Sequence, residues 1–223
     1  MIFIVAVGGT LLILVVGLVL GWTVGNRRRA RAWADSARRL GLALAPFPAS
    51  RVPVAHLAAA LRSQPPSRDP SYRDAMHGAR GGLTVVASIA ESGNNDVPWR
   101  SFSTTCYALL PAPLGVGLQL TRHGFALRLL GEVLARPPLR TGHPIFDDAF
   151  RLHADDPARA VWLVSQVAVD LMQALRFPGE LTVSDDGVEL ELKGAATDAT
   201  RLGPALDLVA HLAGRLAAAA GPA

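Results

Sequence analysis

The stretch ELTVSDDGVELELK, residues 180–193, decides the fold of this chain. ELTVS (180–184) reads as one strand, Asp185-Asp186-Gly187 as a tight turn, and VELELK (188–193) as the returning strand. Val188, Leu190 and Leu192 alternate with polar residues, so the hairpin has one apolar face to cover. Helical periodicity flanks it on both sides. Upstream, Asp156 is suited to N-cap a helix and Pro157 to open it, and Val164, Val167, Ala168, Leu171 and Leu175 recur at helical spacing until Pro178-Gly179. Downstream, Asp198 or Thr200 can cap a final helix whose apolar stripe is Leu202, Leu206, Val209, Ala213 and Leu216.

Further strands lie before this unit. Leu83, Val85, Ala87 and Ile89 alternate after the Gly81-Gly82 turn, SGNNDVP (92–98) reads as a loop, and WRSFSTTCYALL (99–110) as the returning strand. After PAP (111–113), Val116, Leu118 and Leu120 predict a third strand that stops at His123-Gly124. Five or six antiparallel strands with two or three helices on one face make an α+β domain, assigned to residues 73–223. No internal repeat is present. Residues 27–72 are read as a basic helix over 27–41 ending at Gly41, a short helix over 54–63 (VAHLAAALRS) and a Pro-rich linker over 64–72.

Residues 2–25, IFIVAVGGTLLILVVGLVLGWTVG, carry no charged side chain. As a helix they would extend about 36 Å, against a hydrocarbon core of about 30 Å. A transmembrane helix over 1–26 is therefore expected, making the chain a single-pass protein of the cell inner membrane. The run is longer than the apolar part of a cleaved signal, and its basic cluster is on the far side. Arg27, Arg28, Arg29 and Arg31, followed by Arg38 and Arg39, predict the N-terminus outside and the large C-terminal part in the cytoplasm. Gly17, Gly21 and Gly25 share a helix face and could seat a helix dimer, although glycine is common in such segments in any case.

The formal net charge is +4, but it is unevenly placed. Six Arg and one Asp fall in residues 27–39, leaving 16 basic and 17 acidic residues elsewhere. With no basic surplus in the domain and no interleaved aromatics, nucleic acid is not an expected partner. The lone cysteine, Cys106, excludes an intrachain disulfide and fits an apolar strand position.

No enzyme signature is found: no nucleophile elbow, no P-loop and no dinucleotide fingerprint. Asp155-Asp156 is accounted for by capping ahead of Pro157. Asp185-Asp186-Gly187 lacks the twelve-residue frame of a calcium loop. The six histidines are scattered without metal-ligand spacing, so neither a metal nor any other cofactor is expected. The weak site candidates are His143, beside Pro144, and the nearby carboxylates Asp147 and Asp148. Phe146 and Phe150, four apart, would enter the core together if their turn is helical.

Three segments carry a resemblance: LPAPLGVGL (110–118), TGHPIFDDAF (141–150) followed by Asp155-Asp156-Pro157, and DGVEL (186–190). Together they resemble a family of uncharacterised bacterial single-pass membrane proteins with a TGDPxFDxxF…DDP-like segment and a C-terminal DGVEL hairpin. The resemblance spans about residues 75–215, implies no activity or ligand, and differs here in His143, where the family pattern has an acid. The expected function is a non-catalytic binding or interaction domain at the cytoplasmic face, partnered by the lipid bilayer and by a membrane or cytoplasmic protein. The alternatives are an enzyme or small-ligand-binding domain without a signature, or an envelope accessory protein with the domain outside. A deep polar pocket joining His143 to Asp147 or Asp148 would favour an enzyme, and a flat surface with exposed apolar residues a binding module.

Overall fold

In the computed structural model the described residues are 24–25, 27–44, 75–92, 101–122 and 137–221. Helix α1 covers 27–40. It is followed by strands β1 (Ala43–Leu44), β2 (Ala75–Arg80), β3 (Leu83–Ser92), β4 (Ser101–Leu109) and β5 (Gln119–Arg122). Next come helix α2 (Pro144–Ala149), strand β6 (Phe150–His153) and helix α3 (Pro157–Ala174). Strands β7 (Glu180–Ser184) and β8 (Gly187–Lys193) and helix α4 (Ala199–Ala220) complete the order.

All eight strands form one sheet in the order β1-β2-β3-β4-β8-β7-β5-β6, every neighbouring pair antiparallel. The register turns sequence alternation into two faces. Met76, Ala87, Cys106, Leu190 and Leu181 form one cross-strand row, and Val85, Ala108, Val188, Val183, Leu120 and Leu152 form the next. Every one of these side chains is buried. Helix α4 packs over β2, β3, β4 and β8, and α3 lies against α4. Its buried stripe includes Leu202, Leu206, Val209, Ala213 and Leu216, as its periodicity predicts. The opposite rows are polar: His77, Tyr107, Glu189, Thr182, Thr121 and Arg151 share one of them with Val86. Burial, with Glu191 on the same strand, pushes the Glu189 carboxyl above its ordinary range.

One polar group sits among the apolar rows. Thr104, fully buried, donates its hydroxyl to the Gly194 carbonyl at 2.9 Å and accepts the Ala196 N–H at 2.8 Å. That satisfies the backbone between β8 and α4, which would otherwise be costly to bury.

Local chemistry sets the helix ends. Asp156 caps α3 by accepting the Arg159 N–H, and Asp198, not Thr200, caps α4 by accepting the Thr200 N–H. Helix α1 ends at Gly41, whose φ of 67° favours glycine, with Gly41 N–H on Arg38 O and Leu42 N–H on Ala37 O. This paired closure returns the chain into the domain. Trp33, Ala37 and Leu42 belong to the main core, and Ser36 donates to Thr197 O at 2.6 Å. Part of the segment read as a basic extension therefore packs with the sheet, while Arg27, Arg28 and Arg31 stay exposed.

Several expectations are corrected. No helix among the described residues is long and apolar enough to cross a membrane, so the expected transmembrane helix and the single-pass inner-membrane placement are not supported and are withdrawn. Nearly all of residues 1–26, including Gly17 and Gly21, lie outside the described residues, as do the helix over 54–63 and the linker over 64–72. The sheet has eight strands instead of five or six. The third strand starts at Gln119 and not Val116, because Gly115 and Gly117 take φ of 67° and 63° and break extended pairing. Phe150 opens a strand that was not anticipated, although Phe146 and Phe150 are both buried with ring centroids 4.8 Å apart.

The packing of α1 is testable. Trp33→Ala and Phe146→Ala should each cost about 3–5 kcal/mol in denaturant unfolding, the range for deleting a large buried aromatic. Trp33→Ala leaving stability unchanged would show that α1 is not part of the cooperative unit.

Candidate functional site

The sequence singles out His143, Asp147 and Asp148, and the structure separates them. Asp147 turns back along its own segment, where its Oδ1 accepts the Thr141 N–H at 2.9 Å and the Thr141 hydroxyl at 2.8 Å. Desolvation opposes its charge, but the bonds from Thr141 and Gly142 and the charge of Arg140 outweigh it and hold its carboxyl below the usual range. Asp148 is exposed. His143 precedes α2 without a side-chain capping bond, and its carbonyl accepts the Asp147 N–H at 2.9 Å. The groove that His143 lines includes neither carboxylate.

The His143 side chain instead lines a shallow groove of ≈ 360 Å³ between α2 and α3. Phe146, Val169 and Met172 supply apolar walls, while Gln173 and Arg176 stand with His143 as the polar lining. Val169 is 71% exposed, Ile145 65% and Trp162 51%, which makes them the large apolar side chains most at odds with a solvent-facing position. Trp162 and Val169 lie seven residues apart on α3, two helical turns, and share one face with Gln166 and Gln173. Sequence periodicity names Val164, Val167, Ala168, Leu171 and Leu175, of which Val164, Val167 and Leu171 are buried, and it passes over this second stripe. The available signal was an apolar i,i+7 pair off the core-facing stripe.

Residues 110–118, 155–156 and 185–186 meet elsewhere, in a backbone clamp. The Asp185 carboxylate accepts three successive N–H groups: Oδ2 from Val116 at 3.1 Å and Gly117 at 2.9 Å, and Oδ1 from Leu118 at 2.7 Å. Leu110 N–H binds Asp186 O, Leu114 N–H binds Asp185 O, and Asp155 and Asp156 N–H both bind Val116 O. The positive φ of Gly117 turns these amides inward, and a Cβ there would collide with the Asp155 carboxylate. The carboxylate is already occupied by protein donors, so this cluster holds three loops together.

A second, more polar groove of ≈ 370 Å³ lies over α4, lined by Arg80, Asp207, His211 and Arg215 among others. Its charges are already engaged. Asp170 accepts from Arg215 Nε at 3.1 Å and pairs with His211 Nε2 at 3.1 Å, while Arg80 pairs with Asp207 at 3.7 Å and donates to Leu40 O. The bond to His211, ahead of opposing desolvation and the help of Arg215, holds the Asp170 carboxyl below its ordinary range. Cys106 is fully buried and burial pushes its thiol up to about 12. Among the described residues no group of three His, Cys, Asp or Glu side chains is placed to share a metal ion.

Three outcomes follow from this geometry. Asp185→Ala leaves three backbone donors without their acceptor and should cost about 3 kcal/mol, whereas exposed Asp148→Asn should change stability by less than about 0.5 kcal/mol. Because Asp170 titrates lower when folded, its contribution is complete above about pH 5 and lost as pH falls. Asp170→Asn should therefore lower Tm at neutral pH and converge with the parent in acid. Cys106 should resist iodoacetamide at about pH 8 in the native state and react once unfolded, since only the thiolate is nucleophilic. No family model matches the chain, and no curated protein and no solved structure shows significant similarity to it.

Proposed function

We propose that this α+β domain is a non-catalytic binding module that docks another protein across the exposed face of α3 and the adjoining 143–146 turn. The observation that carries this reading is the placement of Ile145, Trp162 and Val169. They are large, apolar and half or more exposed, and Val169 also forms the wall of an open groove. Single exposed apolar residues are ordinary, but two in register on one helix face beside an apolar groove make a docking surface. The groove is shallow, and the carboxylates nearest in sequence to His143 are not part of its lining, which disfavours a reaction centre there.

Site-specific photo-crosslinking in cells tests the reading with the full-length chain. A crosslinker at Val169 or Ile145 should give a discrete adduct to a second polypeptide, and one at exposed Asp207 on α4 should not. Absence of adducts at Val169 and Ile145, or equal labelling at all three positions, would overturn it.

A further inference from the structure

We infer that the groove between α2 and α3 takes an acidic amphipathic peptide segment of a protein partner, with an apolar side chain against Phe146, Val169 and Met172 and a carboxylate on Arg176. This rests on the binding-module reading and adds the chemistry of what is bound.

Charge complementarity selects the occupant. The groove lining includes Arg176, just past the end of α3, and no acidic residue. The one acidic residue within α3, Asp170, is turned to α4 and held by His211 and Arg215. Arg176 bonds through its backbone N–H to Gln173 O, and its guanidinium has no ion-pair partner among the described residues. A free guanidinium beside an apolar wall can bind a carboxylate bidentately while the neighbouring side chain of the ligand is buried. His143 and Gln173 likewise have side chains not bonded to any described group, leaving them available for the polar backbone of a peptide. A basic segment would meet Arg176 as a like charge, a juxtaposition that disfavours the wrong partner. The groove volume of ≈ 360 Å³ accommodates one or two bulky side chains, not a folded domain.

Peptide display against the immobilised full-length chain tests this, with Val169→Asp, Arg176→Gln and Arg176→Glu panned in parallel. Melting curves confirm that each variant is folded, which the exposure of both positions favours. Peptides enriched on the parent and lost on Val169→Asp should pair a bulky apolar residue with Asp or Glu. As synthetic fluorescent peptides they should bind at least tenfold more weakly to Arg176→Glu, with Arg176→Gln intermediate. Exchanging the peptide's acid for Lys should restore binding to Arg176→Glu. Val169-dependent peptides with no acidic preference, or with affinity indifferent to Arg176→Glu, would overturn the inference and leave the binding-module reading in place. No Val169-dependent peptide at all would remove both. A Val169-dependent dimer in sedimentation would make a second copy of the chain the occupant and would equally overturn it.

Discussion

One carboxylate organises the middle of this protein. Asp185 sits in the turn between β7 and β8, and its two oxygens gather the N–H groups of Val116, Gly117 and Leu118 from the loop that precedes β5. Those amides belong to a segment that cannot pair as a strand, because its glycines take positive φ. A partly buried loop must still satisfy its polar groups, and a charged acceptor does so more strongly than a neutral one. The carbonyl of Val116 then receives the N–H groups of Asp155 and Asp156, immediately ahead of α3. The hairpin turn, the β5 loop and the start of α3 are thus fixed by one small set of bonds. The position of α3, and so of its exposed face, depends on them.

Much of this architecture was legible. The 180–193 hairpin forms with Val188, Leu190 and Leu192 on the buried face, and the 83–110 hairpin with Val85 and Ala87 beneath the helices. Both helices flanking the C-terminal hairpin start at an aspartate cap, because a local side-chain bond suffices to define a helix start. What escaped were β1 and the adjoining β2 at one side of the sheet and β6 at the other. Strands β1 and β6 are two and four residues long, too short for alternation to show, and each exists only through its neighbour's register. Trp33 also escaped, because a basic composition drew attention to the outside of α1 while its inner face packs into the core.

The site was less legible than the fold. His143 stands beside carboxylates in sequence, yet it lines a groove with Val169 and Met172 of α3 and Arg176 just past its end, 26 to 33 residues further along. Asp147, equally close in sequence, is spent on Thr141. Proximity in sequence gave the wrong companions in both cases. Exposure is a property of the assembled domain, so the apolar i,i+7 pair on α3 acquires meaning only once the buried stripe is known.

The strand order also has a consequence for synthesis. Strand β4 borders β3 on one side and β8 on the other, and β8 begins nearly 80 residues after β4 ends. At ribosomal rates of about 5–20 residues per second, the second edge of β4 waits roughly 4–16 s for its partner. During that interval a nascent sheet presents an unpaired strand containing Thr104, Cys106 and Ala108 to any other extended chain. Crowded ribosomes translating the same message would hold several such edges close together. The nascent chain's exposure to mispairing is therefore set less by its final stability than by the time taken to reach Gly187.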